Sequence, residues 1–133
     1  MSYLVDTDII SAHLRGAGVV TNRFLQYSGR LHVSVVTLAE LKAWVLRKQT
    51  AHRFRQGLDL LLRDFVVLPV DEAVADRSGE VGADLHDRGT TLATPDLLIG
   101  ATALVHDLAM VTNNVQHFTR VPGLTVVDWL QQG

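Results

Sequence analysis

The chain has 133 residues, of which 47% are hydrophobic and 20% are charged, and its formal net charge is −2. These values are typical of one compact domain over residues 1–133, and they exclude disorder and collagen-like repeats. With no cysteine there is no disulfide scaffold or thiolate site, so a metal would need oxygen or imidazole ligands. The apolar run 97–105 is far shorter than the roughly 20 residues that cross a bilayer. Residues 1–6 do not resemble a secretory signal, and we expect a cytoplasmic protein.

Hydrophobic patterning predicts the secondary structure. Short runs rich in β-branched residues predict strands at residues 3–5, 31–35, 65–68, 109–112 and 124–127. Apolar residues at helical spacing predict helices at residues 37–48, 51–63, 71–87 and 97–106, with a further helix that follows Asp6 and runs through Leu14. Strands that alternate with helices favour a mainly parallel sheet covered on both faces, so the predicted fold class is three-layer α/β/α.

Acidic residues follow the first two predicted strands. Asp6 closes the first strand, Asp8 follows it, and Glu40 lies just beyond the second. Each has a structural explanation, since Asp often caps a helix and the run from Thr37 to Glu40 matches a capping box. Each also stands where ligands bind in such sheets, beyond the carboxyl ends of the strands. Taken singly, these acids favour the capping interpretation.

Asp96 and the segment after the fourth strand add further candidates. Thr94 is predicted as an N-cap and Pro95 as the first helical turn, which gives Asp96 a favourable place near the helix dipole. The rest of this helix is apolar, and Gly100 and Ala103 below Asp96 leave room, so a carboxylate here needs a partner such as a cation. Thr112 and Asn114 follow the fourth strand, and an amide oxygen can also serve Mg²⁺.

The predicted topology brings Asp6, Glu40 and Asp96 to one edge of the sheet. Carboxylates held close together repel one another unless divalent cations neutralise them. A Mg²⁺ site of this kind would activate water for in-line attack on a phosphodiester. The six histidines show no zinc-ligand spacing, and we predict no zinc site.

Basic residues concentrate in one stretch, residues 47–63. Its candidates for contact with RNA phosphates are Arg47, Arg53 and Arg55, although the same pattern fits the solvated face of a helix. Trp44 and Trp129 are expected to be core anchors, although Trp44 stands only one turn after Glu40.

Two other functions are compatible with parts of this pattern. Asp6-Thr7-Asp8 is similar to the opening of aspartyl-phosphate phosphatases, in which Asp6 would be the nucleophile and Asp8 the acid/base. That chemistry requires a downstream lysine, and no lysine follows Lys48. The other alternative is a non-catalytic interaction module whose acids only cap helices.

Four segments in order resemble the PIN-domain ribonucleases, and most closely the VapC-type toxins of bacterial toxin–antitoxin pairs. They are LVDTDII at residues 4–10, SVVTLAEL at 34–41, TPDLLIGA at 94–101 and VTNNVQHF at 111–118. The resemblance implies a Mg²⁺- or Mn²⁺-dependent endoribonuclease, often a homodimer, that a small antitoxin inhibits.

The resemblance also implies roles for individual residues. Asp6, Glu40 and Asp96 match the principal acids, Asn114 matches a position that is Asp or Asn, and Thr112 matches a supporting hydroxyl. The chain departs from the family pattern at two positions. Asp8 stands where relatives often have Asn, and His117 stands where many carry an acid.

Overall fold

The strands of the computed structural model, which describes residues 1–131, all belong to one parallel sheet. The elements are β1 (Tyr3–Val5), α1 (Thr7–Leu14), α2 (Gly18–Gln26), β2 (Leu31–Ser34), α3 (Val35–Val45), α4 (His52–Leu62), β3 (Val66–Leu68), α5 (Glu72–Asp87), α6 (Thr94–Val105), β4 (Ala109–Val111), α7 (Val115–Phe118) and β5 (Val126–Val127). No helix in this part of the chain is both long and apolar enough to span a membrane.

The strand order is β3-β2-β1-β4-β5, so the chain starts in the centre of the sheet. It builds β2 and β3 on one side and then crosses to add β4 and β5 on the other. The strand order therefore reverses between β1 and β4, where parallel α/β sheets form a crevice at the carboxyl ends. The register pairs Val5 with Val111, which brings the residues after these two strands face to face.

Helices cover both faces of the sheet, as the sequence pattern predicts. Tyr3 and Val5 point into a core shared with α1 to α4, whereas Leu4 between them points to the opposite core, which α6 and α7 cover. This alternation follows from the two-residue repeat of a strand. α5 packs against the outer side of α6. The three-layer α/β/α prediction is confirmed.

The larger core contains an aromatic cluster around Trp129, which is only 3% exposed. The Trp129 ring lies 5.1 Å from the Tyr3 ring and 5.6 Å from the Tyr27 ring, centroid to centroid. Such ring pairs add to the free energy gained by burying apolar area. The prediction of Trp129 as a core anchor is confirmed.

Some predicted boundaries are wrong. α3 begins at Val35 and its N-cap is Ser34, whose Oγ accepts a hydrogen bond from the Val36 N–H at 3.1 Å, so residues 37–40 are not a capping box. Thr37 is instead buried inside the helix, and its hydroxyl has no hydrogen-bond partner among residues 1–131. α6 begins earlier than residue 97, with Ala93 rather than Thr94 as its N-cap.

Two helices, α2 and the short α7, lie where no element is predicted. α2 spans Gly18–Gln26 and buries Val20 and Phe24, which are one turn apart. The predicted single domain over residues 1–133 includes Gln132 and Gly133, which lie outside the described residues.

Candidate active site

Asp6 occupies the centre of the crevice between β1 and β4. It is the N-cap of α1, and its Oδ1 accepts a hydrogen bond from the Thr7 N–H at 2.8 Å. Its Oδ2 accepts one from the Thr112 hydroxyl, also at 2.8 Å. Asp6 is 8% exposed. The capping role is therefore real, and the same carboxylate also lies at the carboxyl edge of the sheet.

The electrostatic environment of Asp6 disfavours its negative charge. Burial and repulsion from Asp8 raise its pKa from 3.8 to about 7, and repulsion from Asp96 adds to the increase. The hydrogen bonds from Thr112 and Thr7 oppose this change because they stabilise the carboxylate. Asp6 thus lies within the electrostatic field of Asp8, two residues further along, and of Asp96, which comes from a distant part of the sequence.

Asp8 connects α1 to the loop that follows β4. Its Oδ2 accepts a hydrogen bond from the Asn113 N–H at 3.0 Å, and the Asn113 side chain donates to Asp128 at 2.8 Å. Burial raises the pKa of Asp8. Its Oδ1 is buried and has no hydrogen-bond partner within the described part of the chain. A buried carboxylate oxygen without a donor is a place where a cation or a water would be stabilised.

Glu40 reaches the same edge from the neighbouring helix. It lies in the second turn of α3, is exposed, and accepts a hydrogen bond from the Thr7 hydroxyl at 2.8 Å. Thr7 therefore links Glu40 to Asp6, since the Thr7 N–H binds Asp6. Thr7 is a site residue that was not predicted from the sequence. Its position between Asp6 and Asp8 is the only sequence signal for it.

Asp96, Asn114 and His117 form the opposite side of the crevice. Asp96 lies in the first turn of α6, and its Oδ2 is 4.0 Å from His117 Nδ1. The same His117 nitrogen is 2.9 Å from Asn114 Nδ2. The Asn114 N–H donates to the Thr112 hydroxyl at 3.0 Å, so Thr112 binds residues on both sides of the crevice.

The predicted room below Asp96 is filled by apolar side chains. A Cβ at Gly100 would lie 3.7 Å from the Phe118 ring and 3.8 Å from Val121. Gly100 therefore allows α7 and the following turn to pack against α6, and it does not provide space for an ion.

The oxygen donors of the crevice suit a hydrated divalent cation rather than one bound by protein ligands alone. Within residues 1–131, no group of three His, Asp or Glu side chains is arranged to hold a metal by itself. Mg²⁺, however, usually keeps several waters and takes only one or two carboxylates directly. No Lys or Arg among the described residues forms an ion pair with Asp6, Asp8 or Glu40. These unneutralised oxygen ligands fit a hydrated hard cation.

The predicted RNA-binding arginines do not join the acids. Arg47 follows the carboxyl end of α3, and Arg53 and Arg55 lie on α4. All three are exposed. α3 starts at the crevice and has 11 residues, so its far end is about 16 Å away at 1.5 Å per residue.

This fold and site define a parallel α/β domain with a cluster of carboxylates where its strand order reverses. The chain belongs to the PIN domain family, which it matches over residues 3–124. The resemblance found in the sequence motifs is thereby confirmed.

Individual relatives match over most of their length. The chain is 30% identical over 130 residues to the tRNA(fMet)-specific endonuclease VapC of Shigella flexneri, covering 97% of this chain and 98% of that protein. It is 35% identical over 117 residues to ribonuclease VapC10 of Mycobacterium tuberculosis, with coverages of 86% and 84%. Its structure is similar to that of DNA-bound VapBC from Salmonella typhimurium, with a TM-score of 0.89, 26% identity and coverages of 97% and 98%.

The phosphatase alternative finds no support in this structure. Its chemistry requires a lysine at the site, and Lys42 Nζ instead pairs with Asp59 on α4 at 3.4 Å. Lys48 lies beyond the far end of α3.

Proposed function

We propose that the chain is a metal-dependent endoribonuclease and the toxin component of a toxin–antitoxin pair. Asp6 is repelled by both Asp8 and Asp96 in a crevice where no Lys or Arg of residues 1–131 forms an ion pair with these acids, and this observation carries the proposal. The names of the relatives, ribonuclease and tRNA endonuclease, support RNA as the substrate.

Asp6, Glu40 and Asp96 are the proposed ligands of Mg²⁺ or Mn²⁺. When bound, the cation would neutralise these acids, activate water and stabilise negative charge on the scissile phosphate. The Thr112 hydroxyl holds one oxygen of Asp6, and the Thr7 hydroxyl holds Glu40. These hydrogen bonds fix the orientation of two carboxylates in advance, so that less reorganisation is needed when substrate binds.

Asn114 and His117 are the proposed further members of the site. The Asn114 side-chain nitrogen Nδ2 can only donate, so its 2.9 Å contact with His117 Nδ1 leaves the side-chain oxygen Oδ1 available to accept a hydrogen bond from a water in the crevice. His117 lies next to Asp96, and its Nδ1 orients the Asn114 side chain. Asp8 acts indirectly, because it fixes the loop that carries Asn113 and Asn114.

The proposed partners follow from the relatives. The solved structure from Salmonella typhimurium is a VapBC complex, and we propose that this chain also binds a small antitoxin protein and forms a homodimer. RNA is the proposed substrate, and the cytoplasm is the proposed location.

Cleavage of a single-stranded RNA by the purified chain tests the proposal. We expect cleavage with Mg²⁺ or Mn²⁺, none with excess chelator, and a loss of at least about 100-fold for Asp96→Asn. Asp107→Asn is the matched control, because Asp107 is an exposed Asp beyond the other end of α6 and its φ of 53° is tolerated by Asn. Cleavage that persists with chelator, or equal activity of both variants, would contradict the proposal.

A further inference from the structure

A second pair of side chains joins α1 and α3 further from the acids. The Arg15 guanidinium carbon lies 4.8 Å from the centroid of the Trp44 ring. Arg15 stands two turns after Thr7, and Trp44 stands one turn after Glu40. The Arg15–Trp44 contact therefore lies on the same α1–α3 seam as the Thr7–Glu40 hydrogen bond, about 12 Å further along α1.

The Trp44 ring holds Arg15 in a defined orientation. Trp44 is half-buried and packs against the larger core, and its ring also contacts the Phe54 ring at 5.2 Å between centroids. Arg15 itself is exposed, and no carboxylate of residues 1–131 forms an ion pair with it. The Arg53 guanidinium lies over Phe54 at 4.6 Å, which extends the row of stacked side chains onto α4.

From this arrangement we infer that Arg15 binds a backbone phosphate of the RNA, a few nucleotides from the bond that is cut. One face of the guanidinium is used by Trp44, and its edge retains the N–H donors that bind phosphate in a bidentate way. Trp44 is the positioning residue for Arg15. This inference rests on the proposed function, and it adds a residue that lies outside the basic stretch 47–63.

Phosphate contact leaves a signature that packing does not. Binding of RNA releases counterions, and each phosphate contact on a single strand contributes about 0.7 to the slope of log affinity against log salt. If Arg15 contacts phosphate, removing its charge lowers both the affinity and this slope. If Arg15 only packs on Trp44, the slope stays unchanged.

Binding is measured by fluorescence anisotropy with a labelled single-stranded oligoribonucleotide, in the cleavage-deficient Asp96→Asn chain, at several salt concentrations. Adding Arg15→Gln is expected to weaken binding about five- to tenfold and to reduce the slope by about 0.7. Arg30→Gln is the matched control, since Arg30 also stacks on a ring, that of Tyr27 at 5.5 Å, but lies before β2 at the opposite edge of the sheet. We expect it to match the parent.

Variants of Trp44 test the positioning role. Trp44→Leu is expected to weaken binding by less than Arg15→Gln and to keep most of the parental slope, because the Arg15 charge stays near the RNA backbone but is no longer held in one orientation. Trp44→Phe, which keeps a ring, is expected to restore most of the affinity. In the active chain, Arg15→Gln is expected to raise KM and leave kcat nearly unchanged. Thermal melts identify any Trp44 variant that fails to fold. In that case the affinity and slope of Arg15→Gln alone decide whether Arg15 contacts phosphate.

The outcomes separate the two proposals. Parental affinity and slope for Arg15→Gln, in a chain that binds RNA, would overturn the role of Arg15 and leave the proposed function intact. No RNA binding by the Asp96→Asn chain, together with no cleavage by the unmodified chain, would overturn the proposed function and this inference with it.

Discussion

Replacing Thr112 by Val removes the hydroxyl that connects the two sides of the crevice and keeps the size of the side chain. Thr112 is fully buried and donates to Asp6 Oδ2 at 2.8 Å. A hydrogen bond to a charged group contributes about 1.5–3 kcal/mol. The second partner, the Asn114 N–H at 3.0 Å, belongs to an exposed residue and can turn to water, so its loss adds little. We expect Thr112→Val to lower the free energy of unfolding by about 1.5–3 kcal/mol.

The assay is urea unfolding of the metal-free chain at pH 8, where Asp6 is a carboxylate because its pKa is about 7. For a chain of this size the expected loss corresponds to a decrease in Tm of about 5–10 °C. Thr112→Ser is the control, since it keeps the hydroxyl and loses only a methyl group. If Thr112→Val proves as stable as Thr112→Ser, the hydroxyl does not stabilise Asp6 and the described hydrogen bond is refuted.

Three further substitutions test other parts of the molecule. Gly100→Ala is expected to raise the free energy of unfolding by about 0.5–1 kcal/mol, because Ala is a better helix former than Gly and its Cβ would make ordinary contact with Phe118. Cleavage activity should be retained, and its loss would show that the site needs the space beside Gly100. Burial lowers the pKa of His13 below its usual 6.5, so the unfolded chain takes up this proton more readily than the folded chain. The contribution of neutral His13 to stability is therefore complete above pH 6.5 and is lost as the pH falls through the lowered pKa. His13→Gln should therefore lose less stability than the parent between pH 7 and pH 5, and equal losses in urea titrations would refute this. Thr7→Val removes the hydrogen bond to Glu40 and is expected to slow cleavage about 10- to 100-fold while changing the free energy of unfolding by under about 1 kcal/mol. An unchanged cleavage rate would show that Glu40 does not need this hydrogen bond.

Hydrophobic periodicity was enough to predict the sheet and its two covered faces. Residues 3–5 and 109–111 are short buried runs, and parallel strands that are covered on both faces require such runs. The arrival of Asp6 and Thr112 at one edge then follows from topology, since parallel neighbours end on the same side. This part of the fold needs no information beyond the sequence pattern.

Local propensity failed where tertiary packing determines the structure. α2 begins Gly18-Val19-Val20-Thr21, and Gly and β-branched residues are poor helix formers. Burial of Val20 and Phe24 against the sheet supplies the missing stabilisation, and only their one-turn spacing indicated it. The capping box at residues 37–40 failed because Ser34 provides a cap three residues earlier, directly at the end of β2.

The acids of the site were predictable and their hydrogen-bond partners were not. Asp6, Asp8 and Glu40 follow strands, which places them at the edge of the sheet. The partner of Glu40 is Thr7, 33 residues away, and the partner of Asp8 is the Asn113 N–H, 105 residues away. Such pairs depend on how α1, α3 and the loop after β4 pack together, and a single sequence contains no periodic signal for them.

The central claim, that these carboxylates bind a divalent cation, is tested most directly by titrating Mn²⁺ into the purified chain and following free Mn²⁺ by electron paramagnetic resonance. We expect Mn²⁺ to bind the unmodified chain and the Asp107→Asn chain, with affinity at least about tenfold weaker for Asp6→Asn and for Asp96→Asn. Equal Mn²⁺ affinity in all four proteins, or no binding by the unmodified chain, would contradict the claim.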